Sequence, residues 1–90
     1  HRPVREARLL ETVPNPAARQ VAVRYAVPNR QRVRISLYDV LGRRVKTIVD
    51  GPKEGRQETP LSVSTLPSGV YFVHMRTQGE VQSRRLTVVR

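Results

Sequence analysis

Ninety residues with 17 basic and seven acidic side chains, no cysteine and no tryptophan make one small domain of formal charge +10. Those totals exclude a disulfide framework and a thiolate metal centre. They also exclude a helical membrane span, since no apolar run approaches the roughly 20 residues a bilayer requires.

Tyr25, Tyr38, Tyr71 and Phe72 are the whole aromatic content, which leaves the core to Val, Leu and Ile. At this length roughly 60–65% of the unfolded chain's surface is buried on folding, so the core is thin. Fifteen of the 17 basic residues are Arg, in no run longer than two. A charge of that sign attracts polyanions, and its even spread equally fits solvated strand faces. No apolar segment follows a basic start, and the chain opens at His1. The expectation is an excised piece of something longer, and the absence of a signal here decides nothing about compartment, since a targeting segment can lie upstream.

In chain order, residues 1–12 read as a linker and the start of a first strand, which runs through Leu9 and Leu10 to Val13, with residues 13–90 as the domain. Val4–Glu11 is the only weak helical pattern. Pro14, Asn15 and Pro16 then force turn or extended geometry. Val21, Val23, Tyr25 and Val27 alternate with Ala22, Arg24 and Ala26, a second strand closed by Pro28-Asn29. Val33, Ile35 and Leu37 alternate with Arg34, Ser36 and Tyr38, a third strand with one dry face and one wet face. Asp39–Gly42 carries turn chemistry, with Asp39 suited to cap it by accepting a backbone N–H; a cation or partner contact is the alternative. A fourth strand covers 44–49.

Asp50-Gly51-Pro52 reads as a turn and Lys53–Gln57 as an exposed loop. Glu58–Val63 is a weak fifth strand, which Pro60 assigns to an edge or a bulge. Val70–Thr77 is the sixth, and Gln78-Gly79 turns the chain into the last strand, about 80–89. Apolar parity shifts there from Val81 to Leu86 and Val88, which predicts a bulge near Ser83–Arg85. Gly42 and Gly69 sit where turns need positive φ. Tyr71 stands either at a sandwich corner or simply in the core. Strands with turn signals every 8–12 residues or so predict an all-β, seven-stranded Ig-like β-sandwich. Its inward positions are Val21, Val23, Tyr25, Val33, Ile35, Leu37, Tyr71, Val73, Leu86 and Val88.

The inventory for catalysis is bare. His1 and His74 are the only histidines, the carboxylates form no acid/base pair, and no serine sits in a nucleophile elbow. The glycines form no phosphate-cradling loop. No enzyme, cofactor or metal site is expected. Sugar platforms need stacked aromatic faces, and Tyr38 is the one outward candidate. Specific nucleic-acid binding lacks both interleaved aromatics and a helix for the major groove.

Five segments in order carry a family likeness: Val-Pro-Asn-Pro (13–16), Val-Arg-Tyr-Ala-Val-Pro (23–28), Val-Arg-Ile-Ser-Leu-Tyr-Asp-Val-Leu-Gly-Arg-Arg-Val (33–45), Leu-Pro-Ser-Gly-Val-Tyr-Phe-Val (66–73) and the basic-apolar end 84–90. Together they resemble the C-terminal sorting domain of type IX secretion cargo, and they are similar to the Ig-like domain of flagellar hook-capping proteins. The resemblance implies a non-catalytic signal that directs an exported protein across the outer membrane, through the periplasm to the cell surface or beyond. It implies as partners the secretion machinery and a surface peptidase that removes the domain by cutting ahead of Val13, with anionic lipopolysaccharide as a further partner. Arg84, Arg85 and Arg90 are the candidate recognition residues. Arg32, Arg34, Arg76 and Arg85 form a candidate basic face. Asn15, Pro16, Asp39, Gly42, Gly69 and Tyr71 are candidate structural turn residues. Two alternatives stand beside this reading: a structural or adhesive accessory sandwich of an extracellular enzyme, and a basic polyanion-binding module.

Overall fold

A computed structural model describes residues 6–90, and it is all-β. Strands β1 (Arg8–Val13), β2 (Gln20–Asp39), β3 (Arg44–Ser62), β4 (Gly69–Arg76) and β5 (Val81–Val88) form one sheet in the order β1-β2-β4-β5, with β3 also on β2. Every paired neighbour is antiparallel. The strand at Arg8–Val13 replaces the weak helical pattern of Val4–Glu11, because pairing with β2 across a bulge between Leu9 and Glu11, with Leu9 and Thr12 buried, outweighs a marginal helical period. Residues 1–5 of the expected linker lie outside the described residues.

Five strands stand where seven were expected, since two predicted breaks do not end their strands. At Pro28-Asn29 the β2–β3 register skips from Val27–Gly55 to Gln31–Lys53, and the chain bulges and continues. Asp50-Gly51-Pro52 and Lys53–Gln57, read as turn and loop, are strand residues of β3 opposite Arg34 through Tyr25. Gly55 makes that possible with φ of +78°, a left-handed conformation that L side chains resist. Among the named strands β3 pairs with β2 alone, so its prolines at 52 and 60 sit on an edge, where a missing N–H need not break a ladder. Its Lys, Arg, Asp and Glu side chains discourage further strand addition.

The two halves of β2 carry different neighbours. Residues 20–27 hold β1 and the end of β3, whereas residues 34–39 hold β4 and the start of β3. The sheet therefore curls, and residues from both halves of β2 share one core. Val23, Val33, Ile35, Leu37, Val73 and Leu86 are fully buried there. Each Leu, Ile or Val so buried contributes about 1.5–3 kcal/mol. All ten positions expected to face inward are buried. The bulge expected near Ser83–Arg85 is absent: β4 and β5 pair without a shift from Gly69–Val88 to Arg76–Val81, and Val81 is simply exposed. Tyr25 is completely buried, and its hydroxyl makes no hydrogen bond. Burial pushes that phenol up from its ordinary range; Thr59 opposes the shift without reaching bonding geometry.

Candidate functional site

The terminal strand β5 has two different edges. One is paired along its full length to β4. The other faces the stretch that runs from Ala7 through β1 to Ala17, and there side chains replace most of a backbone ladder. The Gln82 amide accepts from the Leu9 N–H at 2.7 Å and donates to the Ala7 carbonyl, as a strand residue would. Arg84 Nε donates to the Leu9 carbonyl at 3.1 Å. Asn15 repeats the device lower down: its Nδ2 donates to the Arg85 carbonyl at 2.9 Å, and its Oδ1 accepts from the Thr87 N–H at 3.0 Å. Ala17 then makes two backbone bonds, to Thr87 and Val89, each 2.8 Å, in a parallel bridge opposite Val88. Pro16, whose peptide bond with Asn15 is cis, links the two latches.

The three candidate recognition arginines are thereby separated. Arg84 is engaged by Leu9, and Arg90 donates to the carbonyls of Val63 and Leu66. Arg85 lies opposite Phe72 on the outer face of the sheet, exposed, and its guanidinium forms no ion pair among the described residues.

The candidate basic face is divided as well. Arg34 and Arg76 are directly opposite across β2 and β4. Arg32 is held by Asp50 through Nε at 3.2 Å and Nη2 at 2.8 Å. Arg85 shares the outer face, but Phe72 and Arg76 are four residues apart on β4, which puts it roughly 13 Å along the sheet. Between them Tyr38 and His74 meet edge to face, centroids 5.6 Å apart at 72°, and His74 Nδ1 lies 3.2 Å from Ser83 Oγ.

The turn residues converge at the opposite end from Arg34. Asp39 Oδ1 accepts from the N–H groups of Leu41 and Arg43, and Oδ2 takes Arg43 Nε at 2.9 Å. The Arg43 backbone N–H above all, then its guanidinium and the Leu41 N–H, hold the Asp39 carboxyl below its usual range against the opposing effect of desolvation. Gly42 closes this loop with φ of +80°. Gly69 opens β4 at φ of +157°, and the Tyr71 hydroxyl donates to the Pro67 carbonyl at 2.7 Å while its ring enters the core. On the other half of the sheet, Glu58 and then Glu11 hold the Arg24 guanidinium above its ordinary value.

No cluster of three or more potential metal ligands occurs among the described residues, and they contain no helix long and apolar enough to cross a membrane. Gln82 and Ala17 escape a reading by sequence alone. Their importance depends on partners near the other end of the chain, and only the polar break that Gln82 makes between Val81 and Leu86 marks it in the sequence.

The sequence was also compared with known proteins. No curated protein and no solved structure matches it. A family described as the secretion system C-terminal sorting domain matches residues 12–89, from the end of β1 to just beyond β5. Members of that family mark proteins for type IX export across the outer membrane and thus engage its secretion machinery. A match over nearly the whole length, on an all-β body whose last strand is latched from both sides, shows that this chain belongs to the type IX secretion C-terminal sorting domain family.

Proposed function

We propose that the domain is a non-catalytic export signal read at β5, and that Arg85 is the side chain the machinery contacts. The carrying observation is that Arg85 alone of the three terminal arginines is exposed without a hydrogen-bonded side chain among the described residues, whereas Arg84 and Arg90 are engaged within the fold. Export proceeds through the periplasm to the cell surface, where a peptidase removes the signal and an anionic lipopolysaccharide takes its place. Because Leu9 is core, a cut that leaves the domain intact falls ahead of Arg8 rather than immediately before Val13. Split at the shift between Val27 and Gln31 alone, β2 and β3 supply two strands each, which supports a seven-stranded Ig-like arrangement.

Fusing residues 1–90 to the C-terminus of an inert periplasm-directed reporter tests the reading in a type IX-competent host. The unmodified fusion is expected at the surface, and the folded Arg85→Gln fusion is expected to stay in the periplasm. Normal export of folded Arg85→Gln would remove Arg85 from recognition. Failure of the unmodified fusion would count against the sorting function itself. Arg84→Gln is a poorer probe, since it also breaks the bond to Leu9.

A further inference from the structure

Arg34 and Arg76 present a second problem that export does not address. They occupy directly opposed positions of an antiparallel pair, where side chains stand about 5 Å apart and like charges destabilise. Neither has an ion-pair partner among the described residues. Asp50 lies opposite Arg34 across β2 and β3, but its Oδ1 is taken by both Nε and Nη2 of Arg32. Two cross-strand arginines are therefore left opposed without an ion-pair partner among the described residues.

The surroundings have the shape of a site. On one side of the pair, a shallow pocket of about 190 Å³ is lined by Ser36, Tyr38, His74 and a third arginine, Arg44. No carboxylate lines it. The Tyr38–His74 edge contact and the Ser83 hydroxyl fix that wall. On the other side a broader depression of about 530 Å³ is lined by Gln31, Thr77, Gln78 and Arg32. Both hollows share Arg34 and Arg76, so a ligand lying across the face passes over the pair at its middle.

We propose that Arg34 and Arg76 clamp a phosphate or sulfate ester carried on an extended carbohydrate, with Arg44 meeting a second anionic group. A dianionic ester between two guanidinium groups replaces repulsion by charge-assisted, planar hydrogen bonds. Carbohydrate is the carrier because the exposed Gln78 amide on one side of the pair and the Tyr38 hydroxyl on the other suit sugar hydroxyls. The two rings there, Tyr38 and His74, are packed edge to face on each other rather than set out as a platform for bases. This site is independent of recognition at β5.

The test is calorimetric titration of the full chain with a sulfated hexasaccharide at low and physiological salt. Arg34→Gln/Arg76→Gln should weaken binding by at least about tenfold. Arg19→Gln/Arg56→Gln removes the same charge from exposed positions elsewhere and should change it by less than about twofold. Equal losses in both variants would reduce the face to diffuse charge and overturn the proposal. Arg76→Glu supplies a cross-strand partner for Arg34, so it should abolish binding while melting no lower than the wild type; retained binding in that folded variant would also overturn it. Inorganic phosphate should compete only at far higher concentration than the saccharide. Equal potency would assign the site to a free anion, and tighter Arg34/Arg76-dependent binding of single-stranded DNA would refute carbohydrate as the carrier.

Discussion

Asn15→Ala isolates the latch that holds β5 from its outer side. The substitution removes a donor to the Arg85 carbonyl and an acceptor for the Thr87 N–H, and it leaves the adjacent Ala17 bonds in place. Each lost hydrogen bond has a net worth of about 0.5–1.5 kcal/mol. Asn15 is exposed, so water can reach the abandoned groups, and the lower half of that range applies. The expected destabilisation is about 1–2 kcal/mol, against roughly 5–13 kcal/mol for a domain of this size. At about 4–8 °C per kcal/mol, the melting temperature should fall by roughly 5–15 °C. Asn15→Asp keeps the acceptor for Thr87 and loses the donor to Arg85, so it should fall between the wild type and Asn15→Ala. Hydrogen exchange locates the effect: the Thr87 amide should lose protection by more than the amides of β2. An unchanged melting temperature together with an unchanged Thr87 exchange rate would refute the latch.

Three further outcomes are expected. Tyr25→Phe removes the buried hydroxyl that lacks a hydrogen bond, so it should leave stability unchanged or raise it by about 1 kcal/mol in chemical denaturation; a clear loss would mean that the hydroxyl is satisfied. Gly42→Ala meets no atom within 4 Å, so its cost is backbone strain at φ of +80° alone, about 1–2 kcal/mol by the same measurement. Asp39 has a depressed carboxyl pKa, so its stabilising effect is complete above the unfolded-state value of roughly 3.9 and is lost as pH falls through its lower folded value. Asp39→Ala should therefore melt below the wild type at neutral pH, with the gap closing in acid; a gap that stays constant down to pH 2 or so would contradict the ionised cap.

Alternation made the core legible. Val21 through Leu37 announce one buried face because each side chain's orientation follows from its strand neighbours alone. Strand ends were less legible, because turn propensity is local whereas strand continuation depends on the partner. Pro28-Asn29 and Asp50-Gly51-Pro52 lie on the two strands of one long hairpin: the first is absorbed as a bulge between Val27 and Gln31, and the second is held extended by regular pairing with Arg32 to Arg34. The parity change in β5 misleads for a related reason. Val81 is apolar but exposed, and the sequence does not say which of two conflicting residues faces out. Around β5, Asn15 was legible as a turn residue, but its bonds to positions 85 and 87 cross 70 and 72 residues of chain. The outer face was legible as charge alone. Only the β2–β4 register distinguishes the opposed pair Arg34–Arg76 from Arg32, which Asp50 neutralises, and from the more distant Arg85.

The seam between β1 and β5 also decides how the domain bears load. Positions 7, 9, 15 and 17 meet 82, 84, 85–87 and 87–89 in rising order, so the two stretches run in the same direction and leave the fold at opposite ends. Tension between residue 7 and residue 89 pulls along the seam, and its seven hydrogen bonds are strained together rather than one after another. Lifting β5 sideways from Val89 instead opens the same bonds singly, starting with those at Ala17. Forced unfolding is governed by the height of the barrier rather than by equilibrium stability. The domain is therefore strong when hauled lengthwise and weak when peeled from its C-terminal end, and the direction of pull selects which of the two applies.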